Sequence, residues 1–178
     1  MNAVVPDYVE PFAGWRVWRV GGDGGLLRLL SVVHETVWPL REELRAECLR
    51  RRFLVGLRRG PPHEPPAEAC TCGIYATDLE GLGSYLTEGG GRGTPYVFGR
   101  VRLWGTVAEC ERGWRASRAY PAELFIPTPA ARSAACASAD AIARALGDYA
   151  VPVVALPLTP LEALQELVRE HRRLRSAR

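Results

Sequence analysis

The sequence predicts an α+β fold: a mainly antiparallel, partly barrel-like sheet spanning residues 12–127, then a helix–strand–helix extension over 128–178 packed on it. Three observations lead there. Aromatic and β-branched runs separated by glycine turns fill the first two-thirds of the chain. One of these runs, 97–109, contains Gly99 and Gly105, the signature of bends or bulges in a small barrel. Beyond it the apolar spacing turns helical around one short extended segment. Residues 1–11 read as an N-terminal tail.

The elements follow in order. Residues 14–20, Gly-Trp-Arg-Val-Trp-Arg-Val, form a strand, the glycines of 21–25 a turn, and the apolar run 26–38 the second arm of a hairpin. Residues 40–52 fit a helix or a strand, and the extended segments flanking them favour the strand. Gly60 to Pro66 holds four prolines and is a stiff loop carrying His63. Thr77-Asp78-Leu79-Glu80 reads as a capping box that opens a short helix using Leu79, Leu82 and Leu86. Strand 97–109 places Val97, Val101, Leu103 and Val107 on one face and Arg100, Arg102 and Thr106 on the other. Its partner is 114–120, after a turn at Gly113, with a further short strand at 122–126. Residues 138–146 form a helix stopped by Gly147, and 151–156 a buried strand. Thr159-Pro160-Leu161-Glu162 combines cap, first-turn proline and acidic third position, starting a helix with Leu161, Leu164, Val168 and His171 on its apolar face.

Composition limits the function classes. All 23 basic residues are Arg, so a Lys nucleophile, a Schiff base or a phosphate-loop Lys is excluded. No apolar run reaches the roughly 20 residues that span a bilayer, and residues 1–10 lack a basic-then-apolar leader, so the expected location is cytoplasmic. A reducing cytoplasm argues against a disulfide framework for the five cysteines.

The most specific chemistry lies in Cys48, His63, Cys70 and Cys72. Thiolate and imidazole are the ligands zinc prefers, and four of them close a tetrahedral structural site; zinc is favoured over an iron–sulfur cluster because a His is present. Cys110 is an alternative to any one of the four. The competing readings are cysteines acting as small core residues, a catalytic zinc with Glu64 or Glu68 as base, and a Cys72 thiolate activated by a following helix start with His34 or His63 as base. A second pattern is basic. Arg50, Arg51, Arg52, Arg58, Arg59, Arg100 and Arg102 are interleaved with Trp15, Trp18, Trp104 and Trp114, the mixture a nucleic-acid surface uses. The expected function is therefore a non-catalytic binding module, with nucleic acid or another protein as partner and no membrane contact. A zinc- or thiol-dependent hydrolase is the alternative, and a metal-free interaction domain the second.

The blocks Gly14-Trp15-Arg16-Val17-Trp18, Cys70-Thr71-Cys72-Gly73-Ile74-Tyr75-Ala76, Leu103-Trp104-Gly105-Thr106-Val107 and Gly113-Trp114-Arg115-Ala116 resemble a loose group of short uncharacterised bacterial proteins. That resemblance implies shared architecture and no particular activity. The stretch Val97 to Leu103 is also similar to the central strand of PUA-like barrels, which implies RNA or modified-base binding.

Overall fold

The computed structural model describes residues 11–22, 26–34, 36–48, 63–88, 95–128 and 138–177. The order is β1 (Phe12–Gly21), β2 (Arg28–Ser31), β3 (Leu44–Arg45), β4 (Ile74–Ala76), α1 (Leu82–Glu88), β5 (Tyr96–Cys110), β6 (Gly113–Pro127), α2 (Ala139–Gly147), β7 (Val153–Leu156) and α3 (Pro160–Ser176). The fold is α+β. Its described strands form one sheet with the path β2-β1-β5-β6-β3, while β4 and β7 also pair with β6. All pairings are antiparallel except β6 with β7. The ladder of named strands is not closed, although Thr77, directly after β4, bridges back to Trp15 of β1.

Alternation along the strands sends side chains to opposite faces, and both faces are covered. Trp18, Val97, Leu124 and Ile126 join Ile142 and Leu146 of α2 in one core cluster. Their chain neighbours Val17, Phe98 and Phe125 join Leu82 of α1 and Ala163 and Leu164 of α3 in another. The sheet is thus sandwiched between α2 and the α1–α3 pair.

Several expectations need correction. The run 26–38 is not one strand: β2 ends at Ser31, the chain turns, and Val37 bridges back to Leu30. Segments 114–120 and 122–126 are one 15-residue strand, β6, continuous through Pro121. A register shift between Arg100 and Val101 absorbs the proline, which cannot donate to the ladder. The second shift, between Trp104 and Val107, falls at Gly105, whose φ is +75°, and there Thr106 N–H donates to Ser117 Oγ (3.0 Å) instead of to a main-chain carbonyl.

Helix α1 starts later than the capping pattern implies. Thr77 exchanges main-chain hydrogen bonds with Trp15, so it belongs to the sheet, and Asp78 receives the Gly81 N–H at 2.6 Å. The run 151–156 is an edge strand rather than a buried one: only 153–156 pair, with β6, and Val154 is 37% exposed. In α3 the Thr159–Glu162 capping box forms as read, but Leu161 is 49% exposed and His171 is also exposed. The buried face is Ala163 and Leu164, with Leu167 and Val168 packed alongside.

Candidate metal centre

β3 and β4 lie one after the other along the outer edge of β6. Leu44 and Arg45 pair with Ala119 and Arg118, and Ala46 N–H continues onto Ser117 O (2.8 Å). Ile74, Tyr75 and Ala76 pair with Ala116, Arg115 and Trp114. The end of β3 therefore meets the start of β4 opposite Ser117. Cys48 leaves the first segment and Cys72 enters the second. The strand reading of residues 40–48 holds at β3, and 49–52 lie outside the described residues.

Cys48, His63, Cys70 and Cys72 converge at this junction. Their four ligand atoms all lie within 4.8 Å of one another, close enough to hold a metal ion. Cys48 Sγ is 3.7 Å from Cys70 Sγ, and Cys72 Sγ is 3.4 Å from His63 Nε2. A disulfide would bring two sulfurs to about 2.05 Å, so these thiols are free. The three cysteines are buried with Ala67 packed against them, apart from the two main cores.

The turn carrying two of the ligands is fixed from several sides. Cys70 N–H donates to Ala67 O (3.0 Å), and Tyr75 Oη donates to Thr71 O (2.7 Å). Buried Arg115 reaches across from β6, and its Nη1 donates to the carbonyls of Cys70 and Cys72. Gly73 turns the chain into β4 at φ +127°, where a Cβ would lie 3.1 Å from Arg115 Cβ and 3.3 Å from Pro66 Cβ. Arg115 was not among the residues singled out from sequence. Its only signal there is adjacency to Trp114 in the Gly-Trp-Arg-Ala block.

The thiols differ electrostatically. A hydrogen bond from the Cys72 main chain, joined by the Cys72, Cys48 and His63 side chains, outweighs burial and draws the Cys70 thiol down to about 6. Burial, and then Cys70 itself, pushes the Cys72 thiol up. This corrects the view of Cys72 as an activated nucleophile: it precedes β4, not a helix, and gains no helix-dipole assistance. His34 is exposed in the turn after β2. Cys110 sits where β5 turns into β6, opposite Gly113, and is not in the ligand group. Glu64 and Glu68 are exposed and likewise outside it.

Of the basic set, Arg50, Arg51, Arg52, Arg58 and Arg59 lie outside the described residues, while Arg100 and Arg102 are exposed on β5. The tryptophans of that pattern are engaged within the protein. Trp18 is in the core against Trp38, Trp15 stacks on Phe125, Trp114 packs on Phe12, and Trp104 donates to Glu43.

Protein-family models, curated proteins and solved structures were all compared with the chain, and none matches it. Among the described residues no helix is long and apolar enough to cross a membrane.

Proposed function

We propose that the chain is a non-catalytic binding module held by one structural zinc ion on Cys48, His63, Cys70 and Cys72, with nucleic acid or another protein as its partner. The convergence of the four ligand atoms carries this reading. Tetrahedral zinc, with Zn–S near 2.3 Å and Zn–N near 2.0–2.1 Å, sets its ligands about 3.8 Å apart for two sulfurs and about 3.6 Å for sulfur and nitrogen. The separations of 3.7 and 3.4 Å approach those values. Four protein ligands complete the tetrahedron, which favours scaffolding over hydrolysis, since a catalytic zinc keeps one position open. The ion would join the ends of β3 and β4 and turn two short segments into one pinned edge.

Exposed Arg100 and Arg102 support a nucleic-acid partner through phosphate contact. Metal analysis of the purified protein tests the scaffold: about one zinc per chain, lost in Cys70→Ser and Cys72→Ser, is expected, and metal-free native protein overturns it. Oligonucleotide binding that weakens steeply with salt supports phosphate recognition. Oligonucleotide affinity that does not change with salt argues against phosphate recognition.

A further inference from the structure

A second feature lies on the other side of β4. At its middle, β1 has a gap along one edge: β2 reaches only as far as Trp18, opposite Ser31, and Thr77 takes over at Trp15. A cavity of about 280 Å³ occupies this gap, close to the lower end of ordinary ligand pockets, about 300–1,000 Å³. Trp15, Val17, Leu82 and Tyr85 supply an apolar and aromatic wall, Arg16 faces it, and exposed His34 stands at the rim.

Among the described residues, Arg16 is held in place by neutral partners alone. Nη1 donates to Tyr75 O, Nη2 donates to Ser31 Oγ (3.1 Å), and the guanidinium lies 5.3 Å from the centre of the Trp38 ring. Ser31 Oγ is fixed in turn by Trp38 Nε1 (3.1 Å). Every one of these partners is neutral. Among the described residues no carboxylate pairs with Arg16 or lines the cavity, and its buried Nε has no partner. Burial draws the group down to about 10, the nearby Tyr85 phenol being the one influence in the other direction. A buried, unpaired cation is costly, and natural interiors neutralise it. Each terminal nitrogen carries two N–H groups and has one acceptor, which leaves one on each. A carboxylate is the acceptor that suits free donors on a guanidinium lining a cavity.

We propose that this cavity binds a small organic monocarboxylate, its carboxylate on Arg16 and its apolar or aromatic body against Trp15, Val17, Leu82 and Tyr85. Among the described residues that line the cavity Arg16 is the one guanidinium, which suits a single negative charge better than a phosphate dianion. The inference does not depend on the metal.

Calorimetric titration of the full chain with 3-phenylpropionate, its neutral amide and phenyl phosphate provides the test. The carboxylate is expected to bind about tenfold or more tightly than the amide, by a charge-assisted pair. That preference should vanish in Arg16→Met, whose folding is checked by circular dichroism. If the variant does not fold, the carboxylate–amide comparison in the native protein decides alone. Equal affinity for acid and amide, no binding of the acid, or a preference that survives Arg16→Met overturns the proposal. Tighter binding of phenyl phosphate overturns the choice of a monocarboxylate.

Discussion

Arg115 Nη1 donates to the main-chain carbonyl of Cys72 at 3.2 Å, and the same nitrogen also holds the carbonyl of Cys70. One buried guanidinium on β6 therefore sets the shape of a turn that supplies two of four converging ligand atoms. Arg115→Met keeps the apolar stem and removes both bonds. It is expected to destabilise the fold by about 2–4 kcal/mol, because two inward-facing carbonyls lose a charged donor. It should weaken metal binding by about 10–100-fold, the usual effect of removing a residue that orients ligands. Chelator competition and urea unfolding measure the two quantities separately. Wild-type values for both would show that the turn holds itself.

Gly73→Ala probes the same turn from the backbone. At φ +127° an L side chain is strained, and the new Cβ would press on Arg115 and Pro66. A cost of about 1–3 kcal/mol is expected, with weaker metal uptake. An alanine variant with unchanged chelator competition would mean that the turn relaxes without moving its sulfurs.

Tyr149 offers a contrast remote from the cluster. Its buried hydroxyl accepts from Leu29 N–H (3.0 Å) and donates to Trp38 O (2.8 Å), tying the segment after α2 to both arms of the β2 turn. Tyr149→Phe leaves both main-chain groups unpaired and should cost about 2 kcal/mol. Metal content should not change. Loss of metal in this variant would indicate that the cluster and the α2 side of the sheet unfold as one unit.

The start of α3 gives a pH signature. Hydrogen bonds from the Thr159 side chain and main chain hold the Glu162 carboxyl below its ordinary 4.5. A carboxylate depressed in the folded state stabilises fully above its unfolded value, and that contribution fades as pH falls through and below 4.5. Unfolding of the wild type and of Glu162→Gln, followed by circular dichroism, should differ at neutral pH and converge in acid. A difference that grows toward low pH would contradict the assignment.

Much of the Cys/His cluster was legible because residue type alone restricts what Cys and His do close together. The sequence also placed β1, β5 and the α3 cap, where periodicity and cap chemistry are local signals. Arg115 was not legible. It acts on Cys70 and Cys72 from 45 and 43 residues away, and no local pattern marks a basic residue that folds inward. Pro121 suggested a break between strands, yet a bulge at Ala122 on β6 itself absorbs it and the ladder continues. An apolar run such as 151–156 says that it is extended, but not whether both of its sides are covered. Helical spacing placed Leu164 and Val168 on the buried stripe of α3 but also took in exposed Leu161 and His171, and passed over Ala163.

β6 presents its outer edge to three short segments: β4 at 114–116, β3 at 118–119 and β7 at 124–127. None exceeds four residues, and a bare edge of that length is a template for another chain. An ion held at the cysteine junction opposite Ser117, as proposed, would pin two of these segments over that edge. If the proposed ion is bound, stripping it, or oxidising the sulfurs, is expected to free β3 and β4 together and expose the donors and acceptors of residues 114–119. The first consequence of losing the clip would then be sheet-to-sheet growth between copies, at a rate set by protein concentration, before the two cores on either face come apart.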